Sequence, residues 1–412
     1  MSIPDAPKHN LTAIKWLTYL MFMMFAMTTD SVGIIIPEVI KEFHLSMVAA
    51  GAFHYANMTA IAVAAILLGY LADKLGRKKT IILGLVLFAL NSYLFAVGNA
   101  FLFFVTLLVI SGAAIGIFKT GALALIGDIS LSTSQHTTTM NTVEGFFGVG
   151  AIIGPLIVVK LLSAGLSWKW LYVIAGTICL LLIVTALLVK YPKTIKTVDE
   201  PIDFRRTMGM MKNPYALGFS LGIFLYVAAE CAVYVWMPTY LESYSGAFAR
   251  LAEYALPLFF ILRAIGRFLG AWILARYSWT SVMAIFSLAI LICFACAITG
   301  GLSYAIWLLP LSGLFMSMVY PTLNSKGISC FPKTEHGAVA GVILFCTCLA
   351  AAVGPLAMGA VSDLFGHSKY GFVLATIFAA LLFAGLFLNW IYNPARERLA
   401  TLDSSEYRAV ES

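Results

Sequence analysis

Runs of apolar residues separated by short polar segments extend over almost the whole chain. Twelve of these runs are close to the ~20 residues that an α-helix needs to cross a bilayer. They predict transmembrane helices at residues 13–36, 47–71, 80–97, 101–126, 138–163, 168–190, 215–239, 250–274, 279–299, 303–328, 336–361 and 370–393. The predicted fold class is therefore an all-α membrane protein with twelve spans.

The composition supports this interpretation. Of 412 residues, 61% are hydrophobic and only 11% are charged, and the mean hydropathy is +0.94. These values exclude an ordinary soluble domain. Twelve spans with short loops also leave no room for a sizeable soluble domain.

The polar connectors divide the chain into two halves. Residues 191–214 form the only long polar connector, so we expect two six-helix bundles at residues 13–190 and 215–393, flanked by cytoplasmic ends at 1–12 and 394–412. Lys and Arg outnumber Asp and Glu by 26 to 19, mainly in loops that we assign to the cytoplasm. This excess indicates topology, with both termini inside, rather than a nucleic-acid partner. Residues 403–412 are expected to be disordered.

Several kinds of site are not indicated by the sequence. The seven cysteines are an odd number without metal-type spacing, which argues against a disulfide framework or a zinc site. No nucleophile and base set and no ATP-binding motif is recognisable, so we expect neither an enzyme nor a cofactor. Transport by such a chain would draw on an ion gradient or on the gradient of the substrate.

Two charged residues lie deep in the first half. Asp30 follows Thr28 and Thr29 in the first span, and Lys119 lies between small residues in the fourth. Charges inside a membrane are costly and need a partner or a water-filled cavity. A buried carboxylate can bind and release a proton, so Asp30 is the candidate coupling group. Lys119 is either its fixed counter-charge, a ligand for an anionic substrate, or both.

Further candidates for substrate binding lie on the fifth and seventh spans. Asn141 and Glu144 are three residues apart and share one helix face, where an amide and a carboxylate suit a polyhydroxyl ligand. Tyr226, Glu230 and Tyr234 repeat at spacing four, so aromatic rings flank a carboxylate.

The eighth and tenth spans carry further polar residues, which we assign to substrate binding, to charge neutralisation or to a cytoplasmic gate. Arg263 and Arg267 are four apart, and Arg267 lies in Gly-Arg-Phe-Leu-Gly, at the end of the second helix of the second half. We expect Arg263 to neutralise an acid and Arg267 to belong to a cytoplasmic gate. Tyr320 and Asn324 flank the bend expected at Pro321 and complete the predicted substrate-binding set.

The loop at residues 69–79 carries four cations in its last six residues and reads Gly-Tyr-Leu-Ala-Asp-Lys-Leu-Gly-Arg-Lys-Lys. It resembles the loop between the second and third helices of major facilitator superfamily transporters. The resemblance implies a rocking transporter and a cytoplasmic latch that includes Gly69, Asp73, Gly76, Arg77 and Lys78. A basic anchor of topology is the simpler alternative.

Within that superfamily, three stretches are similar to the fucose/galactose/glucose:proton symporter branch. They are the Phe-Met-Ser-Met-Val-Tyr-Pro-Thr-Leu stretch at 315–323, Asp30, and Glu144 ahead of a Gly-Ala-Ile run. The resemblance implies that Asp30 carries the proton. Lys119 departs from the pattern, because the branch commonly has an acid there.

The sequence thus predicts a monomeric transporter of a bacterial-type inner membrane that moves a sugar, either a hexose or a deoxyhexose, together with protons. Two other transport functions remain open at this point: import of a small organic anion or sugar acid, with Lys119 as its ligand, and proton-driven drug efflux. A membrane sensor or scaffold that transports nothing is the remaining class. Sequence alone does not choose the substrate.

Overall fold

The computed structural model describes residues 8–45, 47–192 and 209–407, so most of the predicted connector at 191–214 lies outside the described residues. Helices dominate this part of the chain, which contains no strand. In the first half the long helices are α1 (Lys8–Thr29), α2 (Val32–Phe43), α3 (Ala52–Leu68), α4 (Arg77–Leu94), α5 (Phe101–Asp128), α6 (Thr133–Ser163) and α7 (Trp170–Leu188). In the second half they are α8 (Pro214–Cys231), α9 (Ala255–Leu274), α10 (Trp279–Thr299), α11 (Leu302–Met316), α12 (Val319–Ser329), α13 (His336–Phe365) and α14 (Lys369–Tyr392).

Each half packs mainly on itself. In the first half α3 and α4 both pack on α5, and α1 packs on α6; in the second half α9 and α10 both pack on α11, and α8 packs on α13. Two extensive contacts join the halves, α3 with α13 and α6 with α9. Polar side chains on these four helices can therefore lie between the halves, and α5 and α12 also contact the opposite half.

Among the described residues, ten helical segments are long and apolar enough to cross a membrane. The predicted second and third spans are not among these ten. They correspond to α3, which has only 17 residues, and to α4, whose first turn is basic. The outer surface carries large apolar side chains such as Leu188, Val97 and Leu102, which are 80%, 75% and 74% exposed. Such an exterior is suited to lipid rather than to water.

Several predicted spans are interrupted, and in the first, seventh and tenth, which carry candidate site residues, local chemistry explains the interruption. The first span breaks between α1 and α2 beside Asp30, where Thr28 and Thr29 donate to the Phe25 carbonyl and Ser31 donates to that of Met27. Hydroxyl groups that bond nearby carbonyls compete with the helix ladder. The break places the Asp30 carboxylate at a helix end.

The seventh span continues from α8 through a π-helical turn, Ala232–Trp236, into the short helix Met237–Leu241. Pro238 has no N–H to donate to the carbonyl of Tyr234 four residues earlier, which accounts for the altered hydrogen bonding. The turn begins two residues after Glu230.

The tenth span bends, as predicted, but its helices are interrupted one turn before Pro321, between α11 and α12. The proline ring clashes with the carbonyl four residues earlier, which belongs to Ser317. The predicted disorder after residue 402 is wrong for residues 403–407. These residues form a π-helical turn that follows a short helix, Arg396–Leu402, and Asp403 accepts a hydrogen bond from the Thr133 amide at 2.9 Å.

Candidate functional site: a charged cavity between the halves

A cavity of about 100 Å³ lies between the two halves and is lined by polar and apolar side chains from both. Six of the nine predicted coupling and substrate-binding residues line it: Asp30, Lys119, Glu144, Glu230, Tyr234 and Tyr320. Its remaining lining residues are Thr29, Met58, Ile61, Phe147, Val227, Arg263, Leu344, Thr347, Cys348 and Ala351.

In the second half, Glu230 and Arg263 form an ion pair within the cavity wall. Arg263 Nε lies 2.9 Å from Glu230 Oε1, and both side chains are more than 90% buried. The hydroxyl of Tyr226 lies 2.6 Å from the same carboxylate oxygen and 2.8 Å from the Met316 carbonyl. The expectation that Arg263 neutralises an acid is therefore matched by this geometry, since burial demands a partner for each charge.

A second ion pair joins the halves. Arg267 Nη2 lies 3.3 Å from Glu144 Oε2, and Arg267 Nη1 donates to the Glu144 carbonyl at 2.7 Å. Arg267 Nε donates to the Ser317 carbonyl at 3.3 Å, the same carbonyl that Pro321 leaves without a helical donor. Arg267 is completely buried and contacts this network rather than the loop at residues 69–79, with which the sequence grouped it.

Asp30 and Lys119 lie at the cavity without a salt bridge to each other. Thr29 donates a 2.7 Å hydrogen bond to Asp30, whose carboxylate interacts electrostatically with Arg263, Lys119 and Arg267. Lys119 Nζ lies 4.8 Å from the centre of the Phe147 ring. Within the described part of the chain, no carboxylate lies within 4 Å of Lys119.

Three predicted substrate-binding residues do not line the cavity. The Tyr226 hydroxyl donates a hydrogen bond to Glu230. The Asn141 side-chain amide donates a hydrogen bond to the Thr137 carbonyl at 2.9 Å, and the Asn324 side-chain nitrogen lies 3.5 Å from the Tyr320 hydroxyl. Thr347 and Phe147 line the cavity but were not predicted, because one hydroxyl and one aromatic ring carry no distinctive signal in an apolar helix.

At one end of the molecule, the loop at residues 69–79 forms a buried cluster around Arg77. This side chain pairs with Asp73, bonds Asp128 through Nε at 2.9 Å, and donates to the Lys333 carbonyl of the second half at 3.3 Å. The Asp73 carboxylate lies against Gly337 at the N-terminus of α13. Burial raises the pKa of Asp73 to about 6, although Arg77 opposes the shift.

Close backbone contacts and further polar bonds seal the same end. The Cα of Gly341 approaches Gly69 of the loop, and a Cβ added at Gly341 would lie only 2.7 Å from the Ala65 carbonyl oxygen. Lys333 donates to the Ser130 carbonyl at 3.2 Å, and His136 lies 2.7 Å from the Ser325 hydroxyl. The contacts of Lys333 and His136 were not anticipated, because they join residues far apart in sequence.

Two other predicted latch residues have local roles in this structure. Gly76 has a φ of 92° and ends the loop immediately before α4, which explains why glycine occupies the position. Lys78 donates to the carbonyls of Leu187 and Val189 at the end of α7, at 3.0 and 2.8 Å. Lys78 therefore caps a helix within the first half rather than joining the halves.

Comparison with known proteins identifies relatives over nearly the full chain. The model of the Major Facilitator Superfamily matches residues 18–355. The L-fucose-proton symporter of Escherichia coli is 27% identical, covering 89% of this chain and 90% of the symporter, and a glucose/galactose transporter of Brucella abortus is 23% identical over 89% and 92%. The solved structure of FucP in the outward conformation superposes with a TM-score of 0.78 at 23% identity, covering 92% of this chain and 99% of FucP.

Proposed function

Because the chain belongs to the major facilitator superfamily and has its twelve-helix fold, we propose that it is a proton-coupled sugar symporter. It is a transporter and not an enzyme. Two relatives that match most of the chain, an L-fucose-proton symporter and a glucose/galactose transporter, support a sugar as substrate. The observation that carries the proposal is the cavity itself, where residues of both halves meet around Asp30, a carboxylate without a salt bridge to any of the described residues.

Asp30 is the proposed proton carrier. It belongs to the first half, and the largest of its attractive charge interactions is with Arg263 of the second half. Ionised Asp30 thus attracts the opposite half, and protonation removes that attraction. Binding of a proton and a sugar together then permits the halves to rock, as expected for a transporter with its site between two repeats.

The closed end supports a proposal for the direction from which substrate enters. The end that carries residues 69–79 is closed by the contacts of Arg77, Lys333 and Gly69 with the opposite half. The cavity has a volume of about 100 Å³, which is smaller than the ~300–1,000 Å³ typical of ligand sites. Substrate binding therefore requires widening at the opposite end. Because basic loops stay in the cytoplasm, we place the sealed end and both termini inside the cell and the entry route outside.

The proposed setting is a bacterial inner membrane, with one chain as the functional unit. A single chain contributes every wall of the cavity, so no second copy is needed to complete it. Proton and sugar share this one site.

Transport by purified protein in proteoliposomes tests the proposal. Four radiolabelled sugars would be offered with an inward proton gradient: D-galactose, D-glucose, D-galacturonate and D-glucuronate. We expect at least one to accumulate above its external concentration. In Asp30→Asn the accumulation ratio should fall to one while exchange continues, because the carrier no longer binds a proton.

Asp363→Asn is the matched control, since Asp363 is an exposed carboxylate at the end of α13, away from the cavity. This variant should accumulate substrate as the wild type does. Failure of all four sugars to accumulate would refute the proposed function, and undiminished accumulation by Asp30→Asn would refute the role of Asp30.

A further inference from the structure

The charges of the cavity are balanced in number but not in pairing. The cavity and the pair beside it contain three carboxylates and three cations, of which Glu230 pairs with Arg263 and Glu144 with Arg267. Asp30 and Lys119 are left over, and each lacks a salt bridge in the described part of the chain. Their charges cancel only while Asp30 is ionised.

Protonation of Asp30 changes this balance. With both ion pairs intact, a neutral Asp30 leaves the site with the single uncompensated charge of Lys119. An unpaired charge in a closed, low-dielectric site is costly. A neutral sugar would leave that cost in place, whereas a monoanion would remove it.

The surroundings of Lys119 hold its ammonium in the site and leave its donors free. Gly116, one turn earlier on α5, lies so close to α3 that a Cβ would meet the Ile61 carbonyl at 2.8 Å, so this part of α5 is tightly positioned. Nζ lies over the rings of Phe147 and Phe22, 4.8 and 5.9 Å from their centres. Aromatic faces attract a cation but accept no conventional hydrogen bond. Within the described residues, the three N–H groups of Lys119 have no oxygen acceptor, although the group lines the cavity.

We propose that the sugar carries a carboxylate and that Lys119 binds it, so that the substrate class is an acidic monosaccharide such as a hexuronate. This inference rests on the proposed function and adds the charge of the substrate. One proton on Asp30 and one monoanion on Lys119 together carry no net charge. A proton and a hexuronate that cross the membrane together therefore move no net charge, whereas a proton and a neutral hexose move one positive charge.

Matched substrates make the test specific. D-Galactose and D-galacturonate differ only in the carboxylate at C6, as do D-glucose and D-glucuronate. In proteoliposomes with a fixed inward proton gradient, the wild type should accumulate a hexuronate in preference to its neutral partner. Adding an inside-negative potential of ~100 mV should leave that accumulation unchanged, whereas symport of one net positive charge would gain about 50-fold.

Variants of Lys119 separate a ligand from a residue that merely supports the fold. Lys119→Met removes the charge and should weaken hexuronate uptake by about 10- to 150-fold, the loss expected for one hydrogen-bonded charge pair. Lys119→Arg keeps the charge and should retain most of the uptake. Lys160→Met is the control, because Lys160 is an exposed lysine near the far end of α6.

The outcomes distinguish this inference from the function on which it rests. Accumulation of neutral hexoses in preference to hexuronates would overturn the acidic substrate and leave the sugar symporter standing. Hexuronate accumulation that responds to the potential would also overturn it, and this result needs no variant. Absence of accumulation for all four sugars would remove the proposed function and the inference together.

Discussion

The contact between α3 and α13 offers a direct way to perturb the sealed end. A Cβ added at Gly341 would lie 2.7 Å from the Ala65 carbonyl oxygen and 3.6 Å from the Gly69 Cα. Both neighbours are backbone atoms of the other half, so neither can rotate away. The Gly341→Ala variant must therefore push the two halves apart when this end is closed.

The expected magnitude follows from the geometry. Overpacking by one methyl group costs ~1–3 kcal/mol, and this strain disappears once the halves separate. The ratio of closed to open molecules should then fall by about 5- to 150-fold. Because alanine favours a helix over glycine by ~1 kcal/mol in both states, this preference does not change the ratio.

Hydrogen–deuterium exchange can measure the change in the open population without attaching a probe to the protein. Peptides that cover residues 127–132 and 325–335 contain the inter-half contacts of Ser130, Ser325 and Lys333. Their exchange should accelerate by the same factor as the open population grows. Gly385→Ala is the matched control, since nothing lies within 4 Å of a Cβ at that helical position. Equal exchange in the wild type and Gly341→Ala, or the same acceleration in Gly385→Ala, would refute the reasoning.

Two further predictions concern buried charges. Glu230→Gln leaves Arg263 without its partner and should lower the free energy of unfolding by ~3–5 kcal/mol. Adding Arg263→Gln to this variant should restore part of the lost stability. Thermal denaturation in detergent measures both effects, and simply additive losses from the two substitutions would contradict the prediction. Burial raises the pKa of Asp73 to about 6 in the closed state, and contact with water in the open state would bring this pKa back towards its usual value. The closed state then binds the proton more tightly than the open state, so closure should weaken as the pH rises from 5 to 7. Exchange of residues 325–335, corrected for intrinsic rates, should show this pH dependence in the wild type and a smaller one in Asp73→Asn.

Local sequence determined the helical spans and several of the important residues. An apolar run long enough to cross a membrane must form a helix there, because lipid offers no partners for the backbone, and this rule places the spans without knowledge of packing. The same cost of burial marked Asp30, Lys119 and Glu230 as functional candidates. A single-residue signal of this kind does not depend on which helix lies opposite.

Only the tertiary structure decided which of these residues meet. Arg267 pairs with Glu144, 123 positions away, and Lys333 bonds a carbonyl of the other half, because α6 contacts α9 and the two halves close at one end. The breaks beside Asp30 and before Pro321 also redirect side chains that a straight helix would place elsewhere. Such pairings depend on the register and tilt of packed helices, which residue types and spacing along the chain do not specify.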